Sequence, residues 1–174
     1  RAALVGYTNS GKSSLMRTLT GSEVLVQDAL FATLGTTVRA LQPETTPRIL
    51  VADTVGFIRN LPHGLVASFR STLEEAREAG LLLLVVDASD PERHAQLEVT
   101  RQVLADIGAG DIPQLLLLHK VDRLTAEERQ DIAAEFPDAL RTSTRDPETM
   151  QALRDAILAA FESTWVRAEL DVPY

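Results

Sequence analysis

The stretch G-Y-T-N-S-G-K-S, residues 6–13, follows an apolar run at residues 2–5 and precedes apolar residues at helical spacing that end near Gly21. A strand, a glycine-rich loop and a helix in this order form a site where backbone N–H groups converge on phosphate oxygens. In such a loop the Lys12 ammonium lies between the outer phosphates, and the Ser13 hydroxyl can ligate Mg²⁺. The predicted phosphate-binding residues are Gly6, Tyr7, Thr8, Asn9, Ser10, Gly11, Lys12, Ser13 and Ser14.

Short apolar runs alternate with amphipathic helical spacing along the chain, which predicts an α/β fold with a mostly parallel sheet and helices on both faces. The predicted strands are residues 2–5, 49–52, 81–86, 115–118 and a short strand near 139–140. Helices are predicted to begin at Asp90-Pro91, at Thr125 with Glu128, and at Asp146-Pro147, and another carries Leu65, Phe69, Leu73 and Ala76 before Gly80. Ligands of such sheets bind at the carboxyl ends of the strands.

The composition limits the class of protein. A chain of 174 residues with 45% apolar residues suits one domain, and its apolar runs are too short to cross a bilayer. A net charge of −8 argues against a broadly basic surface, so we expect no membrane partner and no direct binding of free nucleic acid. A core strand follows Arg1 at once, as in an excised fragment. We expect one nucleotide-binding domain at 1–163 and the start of a truncated segment at 164–174.

Two further segments predict a switch around a metal ion. D-T-V-G, residues 53–56, ends a strand, where Asp53 can hold Mg²⁺ through water and Gly56 can donate its N–H to a γ-phosphate. The polar loop F-A-T-L-G-T-T-V-R, residues 31–39, is typical of a segment that a γ-phosphate orders. Thr33 is the favoured metal ligand, but Thr36 and Thr37 compete with it and spacing does not decide. The switch residues are Phe31, Ala32, Thr33, Leu34 and Gly35, then Asp53, Thr54, Val55 and Gly56.

The segment H-K-V-D, residues 119–122, predicts the base. The Asp122 carboxylate can accept from guanine N1–H and its N2 amine, whereas adenine would leave it unpaired. The Lys120 stem can lie along the ribose and base. His119 stands where a guanine site usually has Asn; it either keeps part of that role, with one donor and one acceptor, or packs beside the loop. The guanine-binding residues are His119, Lys120, Val121, Asp122, Ser143 and Thr144.

With these motifs the chain resembles, over nearly its whole length, the G domain of the HflX family of translation-factor-related GTPases. D-T-V-G-F-I-R followed by L-P-H is the most specific stretch, and F-A-T-L, F-R-S-T-L-E-E, V-V-D-A-S-D-P and I-G-A-G-D-I-P-Q also match. The fold expected is a three-layer P-loop NTPase of the Ras-like G-domain type with six strands. The resemblance implies Mg²⁺ on Ser13 and Thr33, guanine on Lys120 and Asp122, a cytoplasmic location, and a large ribosomal subunit that stimulates GTP hydrolysis during ribosome rescue or splitting.

Three departures from that family qualify the hypothesis: His119 replaces Asn, G-T-T-V-R at residues 35–39 replaces D-P-T-T-R, and Ser143-Thr144 replaces Ser-Ala. Phe57, where some GTPases have a water-orienting Gln, predicts slow turnover, and Asn9 suggests K⁺ as an additional cofactor. The predicted function is therefore a slow, Mg²⁺-dependent GTPase that binds GTP and GDP. The alternatives are a guanine-nucleotide-binding regulatory scaffold with impaired hydrolysis or affinity, and an ATPase, against which Asp122 argues.

Overall fold

The apolar runs of the sequence form the strands of one six-stranded sheet. The structure, a computed structural model, describes residues 1–7, 9–21, 37–54, 74 and 76–163. The strand order is β2-β3-β1-β4-β5-β6. Strand β2 pairs antiparallel with β3, and the other pairs are parallel. The strands are β1 (Ala2–Gly6), β2 (Thr37–Ala40), β3 (Leu50–Asp53), β4 (Leu81–Asp87), β5 (Gln114–His119) and β6 (Leu140–Thr142).

Helices cover both faces of this sheet, which confirms the predicted three-layer α/β class. One face packs on α2 (Arg93–Asp106) and α3 (Ala126–Glu135), through residues such as Leu97, Leu104 and Ile132. The other packs on α1 (Lys12–Thr20) and α4 (Pro147–Glu162), through residues such as Leu15, Met16 and Leu153. Strand β1 is buried along its whole length because both of its faces lie under helices.

The predicted starts of α3 and α4 are confirmed. Thr125 is the N-cap of α3, and its hydroxyl accepts from the Glu128 N–H at 3.2 Å. Asp146 is the N-cap of α4, accepts from the Glu148 N–H at 3.1 Å, and is followed by Pro147 in the first turn. Each side-chain oxygen satisfies one N–H group that has no partner within its helix.

The predicted start of α2 at Asp90-Pro91 is wrong. The helix begins at Arg93, and its N-cap residue is Glu92. Asp90 instead closes the preceding turn, where it accepts from the Glu92 N–H and from Gln96 Nε2, each at 2.9 Å. An Asp side chain that bonds its own backbone two residues on favours a turn over a helix start.

The assignment of residues 37–39 to a switch loop is also wrong. They belong to β2, whose register pairs Thr37 with Asp53 and Arg39 with Val51. Sequence pattern does not predict this strand, because it lies at the sheet edge and lacks the apolar run of a strand covered on both faces. Thr37 is therefore held in an edge strand, which leaves Thr33 and Thr36 in the predicted loop.

Several predictions fall on residues outside the described ranges. These are Thr8, the switch residues 31–35, 55 and 56, Thr36, Phe57, the helix residues 65, 69 and 73, and the segment 164–174. Within the described part of the chain, every helix falls short of the length and hydrophobicity needed to span a bilayer.

Candidate nucleotide-binding site

Of the predicted site residues, those that the structure describes lie along the edge of the sheet where the parallel strands end. Gly6 is the last residue of β1, Asp53 of β3 and His119 of β5. In the pairing of β4 with β5, Asp87 lies opposite His119, and in the pairing of β5 with β6, His119 lies opposite Thr142. Residues in register on parallel neighbours lie side by side, so the chemistry of five strand ends meets at one edge.

The loop between β1 and α1 has the backbone of a tight phosphate-binding turn. Asn9 adopts φ 60° and Gly11 adopts φ 103°, both in the left-handed region. The Ser10 N–H donates to the Tyr7 carbonyl at 3.3 Å, and Ser14 lies in the first turn of α1. A Cβ on Gly6 would lie only 2.4 Å from the Val85 carbonyl oxygen, so the close approach of β4 requires glycine there.

Helix α1 starts at this loop without a side-chain cap, since its N-cap residue is Gly11. The first N–H groups of a helix have no partner within the helix and carry the positive end of its dipole. An uncapped helix start after a glycine turn is suited to a phosphate ligand.

Lys12 lies inside the loop and is almost fully buried. Its ammonium donates to the Tyr7 carbonyl at 3.4 Å. Burial lowers the pKa of Lys12 to about 8, although the nearby Asp53 carboxylate opposes the shift. The protein thus holds a desolvated cation at the loop, and negative phosphates would stabilise its charged form.

Ser13 and Asp53 provide oxygen donors of the kind that Mg²⁺ prefers. The Ser13 hydroxyl donates to Asp53 Oδ2 at 3.4 Å, and Asp53 is 1% exposed. Mg²⁺ usually takes one or two protein oxygens and completes its shell with phosphates and water, so a hydroxyl beside a buried carboxylate fits this ion. The described residues include no cluster of three or more His, Asp or Glu side chains suited to a metal.

Thr54, the residue after Asp53, bonds the neighbouring strand β1. Its hydroxyl donates to the Leu4 carbonyl at 2.6 Å, and its N–H donates to the same oxygen at 3.3 Å. These two bonds fasten the end of β3 to β1. Thr54 therefore anchors the start of the predicted second switch segment, whose Val55 and Gly56 lie outside the described residues.

Lys120 connects the predicted guanine-binding segment to the predicted phosphate loop. It adopts φ 65°, and its ammonium donates to the Asn9 carbonyl at 2.7 Å and to Asp87 Oδ2 at 3.0 Å. Ser89 also donates to Asp87, through its N–H at 2.9 Å and its hydroxyl at 2.6 Å. Partial burial would raise the pKa of Asp87, but the bonds from Ser89 and Lys120 hold it below its ordinary value.

Asp87 is the site residue that the sequence reasoning missed. It ends an otherwise apolar strand, and β4 lies between β1 and β5 in the sheet. A charged residue at the carboxyl end of a central strand was the available signal. It could have been used only together with the strand order, because that order brings β4 next to both β1 and β5.

Asp122 lies in a single 3₁₀ turn, Val121–Arg123, directly after β5. Its Oδ1 accepts from the Ser143 hydroxyl at 2.8 Å, and that hydroxyl also accepts from the Arg145 N–H at 3.1 Å. Burial would raise the pKa of Asp122, yet the Ser143 bond and the Arg145 guanidinium keep it below its usual value. The carboxylate is thus ionised and oriented. Val121 is buried, and the half-buried Thr144 follows Ser143.

Comparison with known proteins identifies the family. Residues 1–120 match the family described as 50S ribosome-binding GTPase. A GTPase HflX from Gluconacetobacter diazotrophicus is 63% identical over 174 residues, which is 100% of this chain and 39% of that protein. The chain therefore belongs to this GTPase family, in its HflX branch. The predicted resemblance to an HflX G domain is confirmed. The GTPase HflX of Escherichia coli is 48% identical over 70% of this chain and 28% of its own length.

The chain spans less than half the length of these curated HflX relatives. Among solved structures, a GTP-binding protein from Sulfolobus solfataricus in complex with GDP has a TM-score of 0.72 and 29% identity, over 94% of this chain and 53% of that one. NFeoB from S. thermophilus, bound to GDP·AlF4⁻ and K⁺, has a TM-score of 0.69 at 22% identity, covers 90% of this chain and 60% of its own, and supports the fold alone. The comparisons do not favour the scaffold alternative.

Proposed function

We propose that this HflX-type G domain binds GTP and GDP with Mg²⁺ and hydrolyses GTP slowly, as a switch. One observation supports it above the others: a phosphate-loop backbone and an ionised carboxylate, Asp122, lie at the same sheet edge, joined by the Lys120–Asn9 bond of 2.7 Å. One nucleotide could then place its phosphates at the start of α1, beside Gly11, and its base at Asp122. The GDP complex of the 29% identical GTP-binding protein supports the same assignment.

The proposed roles of the residues follow from their chemistry. Lys12 and the loop N–H groups would hold the β- and γ-phosphates. Ser13 and Thr33 would ligate Mg²⁺ directly and Asp53 through water, and the bound ion would neutralise developing phosphate charge. Asp122 would accept from guanine N1–H and the N2 amine. A K⁺ ion near Asn9 is proposed from the residue type alone, and Asn9 takes the left-handed conformation at that turn.

We propose the large ribosomal subunit as the partner, since the matching family is described as binding it. The cytoplasm, where ribosomes act, is the proposed location. Slow turnover without a partner is supported by Phe57, because a phenyl ring cannot hydrogen-bond an attacking water. The action on the subunit, rescue or splitting of ribosomes, is proposed from the HflX relationship.

Calorimetric titration with GDP, GTP and ADP tests the nucleotide assignment. We expect selective binding of both guanine nucleotides in Mg²⁺ buffer. Asp122→Asn should weaken GDP binding about a hundredfold and favour xanthosine diphosphate, because the amide donates where the carboxylate accepted. Asp131→Asn is a matched control, since Asp131 is exposed on α3. Equal binding of ADP and GDP, or an Asp122→Asn variant that behaves like Asp131→Asn, would refute the guanine assignment.

A further inference from the structure

His119 occupies a buried place between the phosphate loop and the last strand of the sheet. It is 2% exposed and ends β5, in register with Asp87 on one side and Thr142 on the other. Its carbonyl accepts from the Ala88 N–H at 2.8 Å, which fixes the backbone at this strand end. The imidazole is thus packed into the centre of the candidate site.

The two edges of the imidazole face different parts of the site. Nδ1 is hydrogen-bonded to the Thr142 hydroxyl at 2.9 Å. The opposite edge faces the phosphate loop, since a Cβ on Gly11 would lie 2.4 Å from Cδ2 and 3.0 Å from Nε2 of the ring. The ring therefore fills the space between Gly11 and Thr142, with no room for a larger residue at Gly11.

Thr142 and Ser143 hold the H-K-V-D segment at both of its ends. The Thr142 hydroxyl bonds His119, and the hydroxyl of the next residue, Ser143, donates to Asp122 at 2.8 Å. Thr142 is fully buried, so its hydroxyl has little access to water as a substitute partner. Burial and the Lys120 ammonium lower the pKa of His119 to about 4, against the Asp122 and Asp87 carboxylates, so the ring is neutral near pH 7.

We infer that His119, oriented by Thr142, is a positioning residue that sets the spacing between the phosphate loop at Gly11 and the base-reading carboxylate of Asp122. This inference rests on the proposed function. It resolves the two interpretations of His119 into one, because packing beside the loop is how the residue acts on the nucleotide. A side chain in the position usually held by Asn would then keep the site intact without contacting the base.

Thr142→Val tests this inference with the smallest change, because valine keeps the volume and removes the hydroxyl. We expect the variant to bind GDP about fivefold to tenfold more weakly than the unchanged protein, since one buried hydrogen bond that orients the ring is lost. Thr100→Val is the matched control: Thr100 is buried and donates to the Gln96 carbonyl within α2. Affinity is measured by calorimetry, and the nucleotide-free melting temperature is recorded for each variant.

Substitutions of His119 provide a second, independent measurement. His119→Ala should weaken GDP binding by at least about tenfold. His119→Asn should restore it to within about threefold, because the amide places polar atoms where the imidazole has Nδ1 and Cδ2 and can still bond Thr142. In the His119→Ala background, Thr142→Val should have no further effect on affinity, as expected for two residues that act as a unit.

The outcomes separate the two levels of proposal. If the unchanged protein does not bind GDP, the proposed function fails and this inference fails with it. If the unchanged protein binds GDP and Thr142→Val binds it as tightly as Thr100→Val, the inference alone is overturned. A purely structural role would likewise overturn it, and would show as a lower nucleotide-free melting temperature of Thr142→Val with unaltered GDP affinity.

Discussion

Lys12 carries a positive charge at a place where burial disfavours it. Its pKa is lowered to about 8 from an ordinary value of 10.5. Between these values the unfolded chain binds a proton that the folded protein has lost, so this group makes the nucleotide-free fold more stable as pH rises through that window. Phosphate binding reverses the preference, because negative oxygens favour the charged ammonium.

We predict that GDP binding takes up a proton at Lys12 near pH 8. The affinity should fall as pH rises above about 8, with a limiting slope of about tenfold per pH unit, because the neutral amine must first be protonated. Titration calorimetry from pH 7.5 to 9 in buffers of different ionisation enthalpy measures the proton uptake directly.

Lys12→Arg is the matched variant for this prediction, because a guanidinium stays charged throughout that range. Its GDP affinity should be lower but nearly independent of pH, apart from any ionisation of the nucleotide itself. Equal pH slopes for Lys12→Arg and the unchanged protein would show that Lys12 is not the group that titrates.

The residue types of the site could be predicted because each has a narrow chemical role. The glycine spacing followed by Lys12 and Ser13 predicts a phosphate loop, and Asp122 predicts a base with two donors. The partners of these residues could not be predicted from spacing. Asp87 binds Lys120 and Thr142 binds His119 only because the strand order brings β4 and β6 beside β5.

At the scale of elements, α4 joins the site to the core. Its N-cap Asp146 follows the Ser143–Arg145 turn and donates its own N–H to the Ser143 carbonyl at 3.1 Å. Further along the helix, Met150, Leu153 and Ile157 join the core cluster that includes Leu15 and Leu117. The cap therefore fixes where the helix starts relative to the turn at Ser143, which is predicted to bind the base.

We predict that Asp146→Ala destabilises the fold by about 1 kcal/mol, because the Glu148 N–H loses its side-chain acceptor. For a chain of this size the melting temperature should fall by about 2–4 °C. Thermal denaturation measures the change. Asp155→Ala in the same helix is the control, since Asp155 is exposed and its carboxylate accepts only from Gln151 Nε2 among the bonds described. Identical melting of the two variants would refute the capping role.

Elements with one strong local signal were the ones that could be predicted. A buried strand requires apolar side chains on both faces, and β1, β3, β4 and β5 were located from their apolar runs to within a residue or two. Strand β2 lies at the edge of the sheet, paired with β3 alone, and its sequence has no such apolar run. At α2, Asp90-Pro91 fits a turn as well as a helix start, and the hydrogen bonds to Glu92 and Gln96 favour the turn.

At the scale of the whole molecule, the sheet order explains why distant motifs meet. Strand β1 lies between β3 and β4, so the phosphate loop is next to Asp53 on one side and Asp87 on the other. The alternation of strands and helices predicted the α/β class, and the six-stranded G-domain fold was expected through the resemblance to the HflX family. Neither periodicity nor composition reveals a surface that binds a partner, because binding another molecule does not impose the sequence patterns that helices and strands require.

The proposed partner makes a quantitative prediction about turnover. Phosphoryl transfer requires a positioned water and neutralised charge, and Phe57 supplies neither a donor nor an acceptor to the water. We therefore expect GTP hydrolysis by this domain alone to be slow, and large ribosomal subunits to raise kcat at least about tenfold. Small subunits at the same concentration are the control, and the measurement is phosphate release under multiple turnover.

Each reaction is run in K⁺ and in Na⁺ buffer, since a K⁺ ion near Asn9 should make hydrolysis faster in K⁺ than in Na⁺. Equal rates with both subunits would refute the large subunit as the stimulating partner of this domain, and equal rates in K⁺ and Na⁺ would remove the ion from the mechanism.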